Sequence, residues 1–141
     1  MFYPRPYKKF SPKKPVRSFR DLDVYTKTLE CGVDVVKRIS KSKALTDFSQ
    51  CENMVNCSLS VPLCISEAHS MRFANRETSL GLLEKAMAGC NKMVVYLEEI
   101  CGIYGEKVES DVIEELVKKY IDVRGKIFRL SKAWQKWDKE D

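Results

Sequence analysis

The chain has 141 residues, 44% hydrophobic and 32% charged, with six glycines and five prolines, a composition that excludes collagen-like, mucin-like and fully disordered chains. One domain fits this length and two do not; folding can bury about two thirds of the unfolded surface, enough for a core without disulfides or structural metal. The net charge of +5 is modest, no run of roughly 18 apolar residues exists, and Met1–Lys14 carries Pro and Lys where a secretory signal needs an apolar core, so the expected address is cytoplasmic, without a membrane partner.

Residues 1–17 read as an extended, flexible basic tail. Pro4, Pro6, Pro12 and Pro15 interrupt any helical or strand period and favour extended backbone before them. Arg5, Lys8, Lys9, Lys13 and Lys14 alternate with Phe2, Tyr3, Tyr7 and Phe10. Rings between cations suit single-stranded nucleic acid, bases stacking while phosphates are neutralised; a solvated tail, or an arm packed on a neighbouring subunit, is the plainer alternative. Residues 1–20 hold seven basic side chains and no acid.

From residue 18 to 141 the sequence reads as one bundle of four helices. Ser18-x-x-Asp21, Ser49-x-x-Glu52 and Asp111-x-x-Glu114 are capping-box patterns or near variants, and Asn75 followed by Glu77 is a weaker start signal. The first helix is expected from about residue 20 to 40, with Leu22, Tyr25, Leu29, Val33, Val36 and Ile39 on one face. The second, from about 50 to 68, has Met54, Cys57, Leu59, Val61, Cys64, Ile65 and Ala68 apolar, and Pro62 predicts a kink. The third, from 76 to about 101, carries Leu80, Leu83, Met87, Cys90, Val94, Leu97 and Cys101, while Gly81, Ala86, Ala88 and Gly89 admit a close backbone and Gly102 and Gly105 supply turn geometry. Residues 21–117 hold ten basic and sixteen acidic side chains.

The fourth helix has the clearest pattern: Ile113, Leu116, Tyr120, Val123, Ile127, Leu130, Trp134 and Trp137 step alternately by three and four. Such a seam suits a helix of about 40 Å packed nearly antiparallel along its neighbours. Val117, Ile121 and Phe128 widen the apolar surface to one side, which serves either a broad core or a subunit contact. Away from the seam, Lys119 and Lys126 share one wheel position, Lys118 and Lys132 another, and Arg129 and Lys136 a third. These neighbouring positions predict a continuous basic stripe that attracts phosphate without reading base sequence; a solvated outer face is the alternative.

No strands are expected, because no stretch alternates apolar and polar residues with β-branched enrichment. The six cysteines form no C-x-x-C pair and read as packing residues. His69 cannot complete a metal site by itself, and it reads as a surface or capping residue five positions from Cys64. Phosphate-binding and nucleophile-elbow motifs are missing from the sequence. The reading is therefore non-enzymatic, with no metal and no cofactor.

Two stretches carry a family resemblance. Phe19-Arg20-Asp21-Leu22-Asp23-Val24-Tyr25 is similar to the opening F-x-D-L-x-V-[WY] of the four helix bundle protein family, which includes proteins encoded in 23S rRNA intervening sequences. Ser60-Val61-Pro62-Leu63-Cys64-Ile65-Ser66-Glu67-Ala68 resembles that family's S-[IV]-P-S-N-I-A-E-G, with Cys64, Ser66 and Ala68 in place of Asn, Ala and Gly. The resemblance spans roughly residues 18–135 and implies an all-α, antiparallel up-down bundle assembled as a homopentamer. Through the related accessory variability proteins of bacterial diversity-generating retroelements, it implies nucleic acid and a reverse transcriptase, or another protein, as partners. The function expected is that of a nucleic-acid-binding accessory protein; the rival is a protein-interaction scaffold docking a partner through the apolar surface of the fourth helix.

Overall fold

A computed structural model describes the backbone of residues 16–140 and the side chains of residues 16–136. Among the described residues all regular structure is helical: α1 (Asp23–Asp34), continued by a π-helical turn (Val35–Ile39), α2 (Cys51–Met71), α3 (Arg76–Tyr104) and α4 (Ser110–Glu140). The four helices pack on one another around a single core.

The start signals resolve differently from their apparent strength. Ser18 and Asp21 do form a reciprocal capping box, but on a 3-10 turn (Phe19–Asp21) that precedes α1. Asn75, the weakest signal, caps α3 directly, its Oδ1 accepting from the Thr78 amide at 3.1 Å. Ser49 does not cap α2: Gln50 occupies that position without a side-chain capping bond, and its Oε1 accepts from the Asn53 amide group instead. Asp111 lies inside the first turn of α4, where a carboxylate faces the positive end of the helix dipole.

The α4 seam is buried as its spacing predicts, from Ile113 through Tyr120 and Ile127 to Trp134, with Leu130 packed against the core. On α1 the buried face differs from the predicted one. Val24, Thr28, Cys31, Gly32 and Val35 point inward, while Tyr25, Leu29, Val33 and Val36 are only half-buried. Thr28 enters the core because its hydroxyl donates to the Val24 carbonyl at 2.8 Å, leaving no unpaired polar atom. Ser58 and Ser79 enter in the same way, donating to the carbonyls of Val55 and Ala68. Tyr120 is the exception: its hydroxyl is buried without a hydrogen-bond partner among the described residues, a cost of about 1–3 kcal/mol.

Helix α2 runs continuously through Pro62, which is itself buried. Proline cannot donate to the carbonyl four residues back, that of Ser58, and Gly32 of α1 lies against this carbonyl. An ideal Cβ at Gly32 would sit 3.0 Å from the Ser58 oxygen. Gly89 plays the same part between α3 and α2, where a Cβ would meet Val61 Cγ2 at 2.7 Å. Gly81 and Ala88, grouped with Gly89 on sequence, are exposed. Gly105 ends α3 with a φ of +54°, a conformation glycine adopts without steric cost.

Candidate nucleic-acid interface

The basic residues of α4 do not share one environment. Lys126 turns toward α1, its Nζ 3.2 Å from Asp23 Oδ2 and 3.6 Å from Asp122 Oδ2. Lys119 lies 3.3 Å from Glu115 one turn earlier. Their charges are largely answered locally, so the stripe read from the wheel is interrupted along its α1 edge. Lys118, Arg129, Lys132 and Lys136 are exposed and have no ion-pair partner among the described residues. Separated by eleven, three and four positions, these four return to one side of the helix, opposite the seam. Lys132 also lies over the Phe128 ring, 5.3 Å from its centroid, within the range of cation–π attraction. Arg5, Lys8, Lys9, Lys13 and Lys14 lie outside the described residues.

The residues expected at a subunit contact separate as well. Val117 is half-buried and lines, with Leu97, Cys101 and Ile113, an open groove of about 380 Å³ between α3 and α4. Ile121 and Phe128 remain 55% and 47% exposed.

A second basic feature, missed on sequence, lies at the end of the bundle where α2 turns into α3. There Arg72-Phe73-Ala74-Asn75-Arg76 places an aromatic ring between two arginines. The Arg72 guanidinium donates to the His69 carbonyl at 2.6 Å and sits 4.3 Å from the Phe73 ring centroid. Phe73 is 80% exposed. Arg76 donates to the Trp134 carbonyl at 2.6 Å, tying this turn to α4. The capped turn bearing Arg17 and Arg20 packs on α2, and Asp21 is close enough to act on His69. The alternation of cation and ring was the available signal, hidden because the segment reads as a plain helix–helix connection.

His69 is buried, correcting its surface assignment; its ring lies 6.2 Å from that of Trp134. Burial, reinforced by the Arg72 charge, holds its pKa below the ordinary value. The cysteines are free thiols. Burial pushes Cys31 up to about 11 and Cys90 up to about 12, which suppresses the thiolate that nucleophilic chemistry requires. Among the described residues no group of three or more His, Cys, Asp or Glu is placed to hold a metal ion, and no helix is long and apolar enough to cross a membrane. No protein-family model, curated protein or solved structure matches this chain.

Proposed function

We propose that this chain is a non-enzymatic accessory protein of the cytoplasm that binds RNA or DNA through basic surfaces, without base specificity, and works as a homo-oligomer. The observation that carries the reading is the set of four α4 cations, Lys118, Arg129, Lys132 and Lys136, exposed on one side of the helix, none of them in an ion pair among the described residues. Such charges release condensed counterions from a phosphate backbone, and several copies in fixed geometry add their weak contacts. The leader, with Arg5, Lys8, Lys9, Lys13 and Lys14, adds to the same term.

The same reading takes the bundle as up-down and antiparallel. Contact pairs support it: Gly32 meets Ser58 while Ser40 meets Cys51, and Val61 meets Gly89 while Ala68 meets Ser79. Between α3 and α4, Arg76 meets Trp134 at one end and Cys101 shares a groove with Ile113 at the other. In each pair of helices residue numbers fall on one as they rise on its neighbour. Membership of the four helix bundle protein family, a pentameric ring and a reverse transcriptase or other protein partner belong to this proposal through the resemblance of residues 19–25 and 60–68.

The test is salt dependence. Affinity for generic RNA or DNA should fall steeply between low and moderate salt, with a slope near −0.9 per phosphate contacted on a duplex. Arg129→Glu with Lys132→Glu should weaken binding by about tenfold or more and flatten that slope. Lys126→Glu is a poorer test, because Lys126 already bridges Asp23 and Asp122. Failure to retain any nucleic acid at low salt puts the scaffold reading first. That second reading has its own observation, the exposure of the large apolar side chains Ile121 and Phe128 on α4.

A further inference from the structure

The turn between α2 and α3 holds an arrangement that neither the core nor the α4 stripe explains. Burying a phenylalanine stabilises a fold through the apolar area removed from water, yet Phe73 is left 80% exposed. A lone exposed apolar residue is ordinary. Phe73 is distinguished by its surroundings. One face of its ring is occupied by the Arg72 guanidinium at 4.3 Å. That guanidinium is itself anchored by donating to the His69 carbonyl at 2.6 Å and lying 3.2 Å from His69 Nδ1, and His69 is in turn held against Trp134 in the interior. The ring is thus backed on one side by a fixed cation and open on the other.

Charge at this end of the bundle favours the same class of ligand. Arg72 and Arg76 flank the ring in sequence, Arg17 and Arg20 lie on the turn that packs against α2, and Lys136 follows Trp134 on α4 by two residues. Among the described side chains the acids at this end are Asp21, Asp23, Glu67 and Glu77; Asp23 is already taken up by Lys27 and Lys126, and the Asp21 carboxylate accepts from the amides of Arg17 and Ser18 at 3.0 and 3.2 Å. Val16, where the aromatic and basic leader joins the fold, is at this same end. An open ring face among arginines matches an unpaired base flanked by phosphates, because every base offers a π-face and the backbone supplies the anions. A duplex keeps its bases stacked internally and cannot present one to the ring.

We infer that the α2–α3 turn is a single-strand site, in which an unpaired base stacks on the free face of Phe73 while Arg17, Arg72 and neighbouring cations hold the adjacent phosphates. The site rests on the nucleic-acid reading and narrows it to strands with accessible bases. Its test is fluorescence anisotropy of the full chain at low salt, with labelled oligo-uridine and, separately, a duplex of matched length. Phe73→Ala should weaken oligo-uridine binding about 5- to 50-fold and leave the duplex unchanged; Phe73→Trp should retain or tighten it. Because Phe73 is outside the core, thermal melting of both variants should match the parent. If the parent chain binds both probes and Phe73→Ala changes neither, or weakens both equally, the stacking site is wrong and the wider reading stands. If the parent binds neither probe, both fall, and an exposed ring that docks a protein becomes the better account.

Discussion

At the scale of single residues, absent side chains determine how closely α1, α2 and α3 approach. Gly89 and Gly81 lie on the same helix, but a methyl at Gly89 would reach to 2.7 Å from buried Val61, whereas one at Gly81 meets nothing within 4 Å. Gly89→Ala should therefore lose about 1–2 kcal/mol even after its gain in helix propensity, and Gly81→Ala should gain about 0.5–1 kcal/mol. Urea midpoints of the two variants check the contrast, and equal shifts would contradict it. The sequence put Gly81, Ala86, Ala88 and Gly89 together as small residues allowing close approach. It could not separate them, because closeness depends on which face meets α2, and that is set by residues more than twenty positions away. Phe73 was overlooked for a related reason: exposure of one ring in a connection leaves no periodic trace.

At the scale of elements, legibility followed how cleanly apolar and polar residues divide around each helix. Helix α4 carries long apolar side chains on one side and charges on the other, so its seam was readable from spacing alone. Helices α1 to α3 admit Thr28, Ser58, Ser79 and His69 to the core, each paired with a carbonyl or packed on a ring; α2 and α3 still bury Met54, Ile65, Leu83 and Leu97 as spaced, whereas on α1 Tyr25, Leu29, Val33 and Val36 are left half-buried. His69 has a measurable consequence. Burial, then the Arg72 charge, lowers its folded pKa below the ordinary 6.5, so the unfolded chain takes up a proton more readily than the folded one. The stability this contributes is intact above the unfolded value and is lost as pH falls through the folded value. Since this is the one histidine in the sequence, urea melts of the parent and of His69→Gln isolate the effect. The parent should lose stability relative to the variant as pH falls below the ordinary histidine value of 6.5; a parallel or opposite trend would show that the imidazole is not held neutral.

For the whole molecule, segmental charge was legible but its pairing was not. The count of basic residues in α4 gave no hint that Lys126 would meet Asp23, 103 positions earlier in the chain, and so leave the stripe. The apolar strip raises the question of assembly. If Ile121 and Phe128 form a subunit contact, light scattering at micromolar concentration should give a mass well above the 16.3 kDa of one chain, and Ile121→Lys with Phe128→Lys should reduce it to that of a monomer. A parent that is already monomeric would remove multivalency from the proposed mechanism. One more feature works at this scale. The cysteines lie at graded depths, from Cys101 near the surface to Cys31 and Cys90 in the interior. The order in which an alkylating reagent consumes them thus reads the molecule's breathing: Cys101, reached through the open groove, reacts with the helices in place, and loss at Cys90 requires them to part.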